Sequence, residues 1–264
     1  MNSFIFKTIL RLFIVSLLFV TACNNNPNEK GEYVIKPNEQ SQELHIKYQD
    51  NGKIDYIQEC ANGIPQGIFL NLKKGSLKDI SFIKDGKNNG CGVVFHHNGS
   101  LNNFGQYVNG QKKGWFYVFD KNGNLSGKRE YLTVNGAEYL NQWVDYKPDG
   151  SVEKLTSNYI RVVPIKDTIN QNEEYRLNIS LEAAYFKQYM IMAVGDYDDN
   201  FNLPAGAKCD TIKSSNFVAT YKTKTHKKGN NIVRGMVLDL QPDEKNKKKV
   251  NIRKIYFTHE FSVK

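Results

Sequence analysis

Two patterns of apolar spacing divide the chain. Between residues 43 and 155, short runs rich in β-branched and aromatic residues alternate with glycine-containing turns. The runs are Ile54–Ile57, Ile68–Leu72, Ile80–Ile83, Val93–Phe95, Phe104–Val108 and Trp115–Phe119. Each is about one strand long. From Asn158 onward the runs alternate polar and apolar residues. In Glu173–Leu181, Tyr175, Leu177, Ile179 and Leu181 fall on one face, the mark of a strand with one buried side. Tyr159–Val163, Gln188–Val194, Ser215–Tyr221, Ile232–Leu240, Val250–Phe257 and His259–Val263 complete about seven strands in this half. No segment there has a helical period of useful length.

The glycines of the first half keep time. Gly52, Gly75, Gly99 and Gly123 are 23, 24 and 24 residues apart. A second series runs in step: Asn62-Gly63-x-x-x-Gly67, Asp85-Gly86-x-x-x-Gly90 and Asn109-Gly110-x-x-x-Gly114. Later copies drift, with Asn135-Gly136 lacking the second glycine and Gly150 following Gly123 by 27 residues. Asn-Gly and Asp-Gly readily take positive φ at both central positions of a tight hairpin. Two turns and two strands per unit predict an antiparallel meander. No unit can bury its own face, so the array folds by stacking neighbours.

This pattern resembles the MORN-repeat variant family of the YwqK-like antitoxin type. Tyr107-Val108-Asn109-Gly110-Gln111-Lys112-Lys113-Gly114-Trp115 matches the unit best. Ala61-Asn62-Gly63-Ile64-Pro65-Gln66-Gly67-Ile68 and Lys84-Asp85-Gly86-Lys87-Asn88-Asn89-Gly90-Cys91 match with the aromatic lost. The resemblance implies a repeat sheet and a habit of binding proteins or membranes. The regular strand spacing of the second half predicts an immunoglobulin-like β-sandwich, without the Cys…Trp…Cys core signature.

The front end reads as a targeting signal. Lys7 and Arg11 precede an apolar run from Leu12 to Val20, about half the roughly 20 residues needed to span a bilayer. Val20-Thr21-Ala22-Cys23 resembles the lipobox of bacterial lipoproteins. That resemblance implies a diacylglyceryl thioether on Cys23, cleavage before it, and acylation, usually with palmitate-like chains. Several acyl chains on one residue suffice for stable anchoring. Asn24 in place of Asp favours the outer membrane over the inner. The expected organisation is a signal peptide over residues 1–22, a tether over 23–42, the repeat sheet over 43–155 and the sandwich over 156–264.

Composition supports a folded, all-β protein: 40% of the 264 residues are hydrophobic, 12% are aromatic and the formal charge is +9. Beyond Cys23, Cys60, Cys91 and Cys209 lack metal or redox spacing and read as separate thiols. Catalytic signatures are missing. Gly123-Asn124-Leu125-Ser126-Gly127 has its serine one place late for a nucleophile elbow, and His259-Glu260 has Val263 where a zinc motif needs His. His96 and His97 are read as strand neighbours facing opposite ways. Asp196–Asn202 offers alternate oxygens for calcium, but Phe201 stands where the loop needs glycine, so a solvated turn is expected. The lysines at 222–228 and 245–249 could meet anionic lipid, and are read as solubilising loops.

The informative run is Trp115-Phe116-Tyr117-Val118-Phe119, apolar on both faces, so something must cover the second face. The expected cover is the C-terminal sandwich or the curl of the sheet, and its rival is a partner protein docking on an aromatic ladder. The candidate partner-binding residues are Phe95, Tyr107, Trp115, Tyr117 and Phe119. The expectation is a non-enzymatic, lipid-anchored envelope protein with no cofactor or metal. It would be held to the membrane through Cys23 and bind another envelope protein, not nucleic acid. The alternative is an immunity or antitoxin-type protein that neutralises an effector stoichiometrically.

Overall fold

The computed structural model describes residues 31–36, 42–225, 227–246 and 248–264; Cys23 and the signal-like segment lie outside the described residues. The protein is all-β. The first half forms an antiparallel meander of β1 (Gly31–Ile35), β2 (Gln42–Tyr48), β3 (Ile54–Ala61), β4 (Ile64–Lys73), β5 (Ser76–Lys84), β6 (Lys87–Asn88), β7 (Gly90–Phe95), β8 (Leu101–Val108), β9 (Gln111–Phe119), β10 (Leu125–Val134) and β11 (Ala137–Asp145). Strands pair in chain order, with β6 and β7 both on β5.

The two glycine series make two kinds of turn. Asn62, Asp85, Asn109 and Asn135 all have φ of 51°, each followed by a glycine at positive φ, so these turns carry the paired left-handed residues of a two-residue hairpin. The other series uses a longer turn at Gly52, Gly99 and Gly123, whereas Lys74-Gly75 closes a two-residue hairpin between Lys73 and Ser76. The 96–100 turn is typical: the His96 amide donates to the Ser100 carbonyl, and Asn98 Oδ1 accepts from the Ser100 amide at 3.1 Å. The second glycine of the interleaved series marks a bulge. Residues 66–68 face Glu59 alone, and residues 114–116 face Gly105 alone. At Gly67 a Cβ would lie 2.0 Å from the Glu59 carboxylate, which accepts the Ile68 amide at 2.8 Å. The same device at Gly90 separates β6 from β7.

Gly31–Ile35, expected within the tether, is instead a strand paired with β2 from Gly31↔Tyr48 to Ile35↔Leu44. Tyr33-Val34-Ile35 is a strong β-forming triplet that the surrounding Asn, Glu and Lys hide from a compositional reading. His96 and His97 also differ from expectation: β7 ends at Phe95 and both lie in the turn.

The second half is a sandwich. β12 (Tyr159–Pro164), β14 (Glu174–Ala183) and β17 (Val218–Lys224) form one sheet. β13 (Thr168–Ile169), β19 (Val250–Val263), β18 (Gly229–Pro242), β15 (Tyr189–Gly195) and β16 (Cys209–Lys213) form the other. Strands one, three and six on one side, with four, seven and eight on the other, give an immunoglobulin-like arrangement. The core between them joins Tyr175, Leu177 and Ile179 to Met192, Val237 and Ile255, all fully buried. Tyr175 stacks on Phe261 at 3.8 Å. The segments read as Val250–Phe257 and His259–Val263 are one 14-residue strand, since Thr258 pairs with Arg234 without a break.

The sandwich meets the sheet at β11, through β12 and β19. Val134, Tyr197, Phe201 and Tyr256 form a small second core there, with Leu132, Tyr139 and Met236 against it. Phe201 carries a φ of 57° yet packs its ring 4.8 Å from Tyr256. The acidic loop around it is self-satisfied: Asp198 accepts the Asn200 and Asn202 amides at 2.8 Å each, and Asp199 pairs with Arg234.

Candidate partner-binding face and the cleft beside it

Register places one apolar row across the meander. Ile46 pairs with Ile57, Ile57 with Leu70, Leu70 with Ile80, Ile80 with Val93, Val93 with Phe104 and Phe104 with Tyr117. Phe104 stacks on Tyr117 at 5.2 Å and lies 6.0 Å from Phe119. Trp115, two residues from Tyr117, holds the Lys128 ammonium 4.4 Å from its ring centroid. Phe95 follows Val93 on the same face by alternation. Tyr117 is 36% exposed and Phe82, on the same side as Ile80, is 39% exposed.

Of the five expected partner-binding residues, Phe95, Trp115, Tyr117 and Phe119 therefore share this face. Tyr107 does not. Its ring meets Phe116 edge-on at 5.3 Å on the opposite side, over Gly92, where a Cβ would lie 2.5 Å from the Tyr107 ring. Burial raises the Tyr107 hydroxyl above its ordinary value. Phe104, which the sequence reading left out, takes the central place. Its signal was register: it opposes both Val93 and Tyr117.

The second face of β9 is covered locally. Phe116 is 3% exposed, enclosed by Tyr107, by Tyr131 at 5.3 Å, and by Lys112, whose ammonium lies 4.7 Å from the Tyr131 centroid. Gly105 beneath it leaves room, since a Cβ there would stand 2.4 Å from the Phe116 ring. The expected cover by the sandwich is thus corrected. The sandwich packs on Leu132, Val134 and Tyr139, further along β10 and β11.

Beside the aromatic face lies a cleft of about 430 Å³. Its cause is a short ladder: β5 and β7 pair only at Asp79↔Val94 and Ile80↔Val93. Beyond those pairs the β4–β5 and β7–β8 hairpins part. Turns on this edge are tied in twos. Lys53 Nζ donates to the Lys74 carbonyl at 3.2 Å, and Asn98 Nδ2 donates to the Lys121 carbonyl at 2.8 Å. The cleft is the gap between those two couples, lined by Lys73, Lys78, His97 and Lys121 around Leu77 and Phe95. The His96 ring is held between the Phe119 carbonyl and Asn102, each at 3.0 Å.

Among the described residues, no group of three or more His, Cys, Asp or Glu is placed to hold a metal ion. Cys60, Cys91 and Cys209 are free thiols. No helix among them is long and apolar enough to cross a membrane.

No family model matches the chain. No curated protein matches it either. Among solved structures it is similar to the crystal structure of TarM, at 12% identity and a TM-score of 0.21, over 52% of this chain and 23% of that one. The chain thus spans less than a quarter of that structure's length. The expectation that the chain is no enzyme is withdrawn. A likeness this distant carries no activity to this chain.

Proposed function

We propose that this chain is a lipid-anchored protein of the bacterial cell envelope, attached through Cys23. Its MORN-like repeat sheet serves as the binding surface for another envelope protein. The observation that carries the reading is the aromatic row Phe104–Tyr117–Phe119, continued by Phe95 and Trp115 on one face of the sheet. Clustered aromatic side chains of this kind dominate the energetics of protein contacts. The sandwich docks on β11 through β12 and β19, whereas the row lies on β7, β8 and β9. The lipobox-like Val20-Thr21-Ala22-Cys23 supports the anchor.

Two measurements test it. Incorporation of labelled palmitate should be lost in Cys23→Ala; equal labelling of wild type and variant refutes the anchor. Partner capture from detergent extract should fall in Trp115→Ala and Tyr117→Ala while their melting temperatures stay near wild type. Unchanged capture by both variants refutes the binding face.

A further inference from the structure

The cleft between the 73–76 and 96–100 turns has a chemistry distinct from the aromatic row. Three lysines and two histidines line it, Lys73, Lys78, Lys121, His96 and His97, and no acidic residue does. The acids of this edge are engaged elsewhere. Asp120 accepts the Asn122 and Asn124 amides at 2.8 and 2.9 Å within its own turn. Asp79 accepts from Asn71 Nδ2 at 2.8 Å and reaches Lys78 only at 3.9 Å. Among the described residues, Lys73 and Lys121 pair with no carboxylate.

The placement of these cations is built into the backbone. Asn98 and the Ser100 hydroxyl, at 2.8 and 3.1 Å, both hold the Lys121 carbonyl, which fixes Lys121 beside His97. Lys73 and Lys78 enter from the other wall, on the β4–β5 hairpin. The walls are held apart because the β5–β7 ladder stops at Asp79↔Val94. Like charges facing one another across a gap repel, and a multivalent anion between them relieves that repulsion. At about 430 Å³ the space suits a small ligand and not a polymer. Leu77 and Phe95 give it an apolar side against which the organic part of a ligand can rest.

We propose that this cleft binds a phosphate group, as the dianion of a phosphomonoester. The cations supply point charges to its oxygens, in the manner of lysine at phosphate sites. The group can come from a soluble phosphorylated molecule or from a phosphomonoester lipid headgroup.

The test uses the purified full chain, titrated calorimetrically with glycerol 3-phosphate and with acetate, and by sedimentation with vesicles containing phosphatidic acid. Glycerol 3-phosphate should bind saturably at millimolar concentration or below, more weakly as salt rises, and acetate should not. The double variant Lys73→Gln/Lys121→Gln should weaken binding about tenfold or more, whereas Lys113→Gln, outside the cleft lining, should stay within about twofold of wild type. Loss with vesicles but not with the soluble ester, or the reverse, assigns the source. If the double variant melts early, His97→Gln is read instead. No saturable binding to either phosphate probe overturns the proposal, as does equal binding of acetate or equal weakening by Lys113→Gln.

Discussion

Asn141 pairs its side chain with the backbone of Tyr256 in both directions. Its Nδ2 donates to the Tyr256 carbonyl at 2.9 Å, and its Oδ1 accepts the Tyr256 amide at 2.8 Å. A carboxamide has the same donor and acceptor as a peptide unit. Asn141, on β11 of the meander, thus gives the sandwich strand β19 a ladder rung that no strand of the sheet provides. Glu130 accepts a second bond from its Nδ2 at 2.6 Å, and the residue is fully buried. Both halves of the molecule are committed at this one side chain.

Asn141→Ala should therefore cost more than the loss of a surface hydrogen bond. It leaves a buried N–H and C=O without partners, which costs roughly 2–4 kcal/mol. Urea unfolding followed by two probes, one in each half, should change from one shared transition to two. Coincident transitions with less than about 1 kcal/mol lost would show that the junction does not depend on this residue.

Glycine at 105 is required by packing. It sits at ordinary φ, outside the positive-φ set, and a Cβ there would meet the Phe116 ring at 2.4–2.5 Å. That ring is enclosed by Tyr107 and Tyr131, so it has no easy direction of retreat. Gly105→Ala should cost about 1–3 kcal/mol. Adding Phe116→Leu should return part of it, a coupling that a double-mutant cycle measures. Strictly additive losses would argue against the contact.

The edge strand β1 should respond to pH through one histidine. His45 bonds Glu32 at 2.9 Å and Glu43 at 3.0 Å, and Lys36 joins Glu43 at 3.0 Å. The Glu43 and Glu32 hydrogen bonds raise His45 above its ordinary 6.5. The hydrogen bond from His45 is the leading cause that lowers both glutamates from 4.5. Tyr56 and Lys47 also face Glu32 and lower it further. For the histidine, whose folded value is raised, the contribution is full below about 6.5 and fades as pH rises through the folded value. For the glutamates, whose folded values are lowered, it is full above 4.5 and fades as pH falls through theirs. The hold of β1 on β2 should thus be firmest between about 4.5 and 6.5. An NMR titration of the His45 ring should find its midpoint above 6.5, moving down in Glu43→Gln. A midpoint at or below 6.5 in the wild type would contradict the arrangement.

The parts of this molecule that are legible in the sequence are those set by local rules. The meander follows from Asn-Gly and Asp-Gly turns, whose φ values are a property of two adjacent residues. The sandwich follows from alternation, as in Tyr175, Leu177 and Ile179. What escaped reading depends on register or on distant partners. Tyr107 and Phe104 look equivalent in a list of aromatics. Alternation along β8 sets Tyr107 on the face opposite Phe104, and the pairing with β9 puts Phe104 beside Tyr117. Gly67, Gly90 and Gly114 were visible as a rhythm, but their use as bulges depends on what faces them. The cleft arises from an early end to the β5–β7 ladder, which no run of residues announces. The junction is made by Asn141, Asn158 and Arg253, polar residues whose partners lie as far as 115 positions away.

Arg253 tests that junction from the sandwich side. Its guanidinium donates to the Leu140 and Asn141 carbonyls at 2.7 and 2.6 Å, to Asn158 Oδ1 at 3.2 Å and to the Tyr139 hydroxyl. It also lies 5.2 Å from the centroids of Tyr139 and Trp143. A planar fork can meet all of these at once, and an ammonium cannot. Arg253→Lys keeps the charge and strands two or more carbonyls, so it should cost about 2–4 kcal/mol. Trp143 would lose the cation against its ring, and the chain has only Trp115 besides. In a Trp115→Phe background the remaining fluorescence reports the junction alone. Its emission should shift on Arg253→Lys before any unfolding of the sandwich core. An unchanged spectrum together with unchanged stability would mean that charge near Trp143, and not the fork, is what the junction uses.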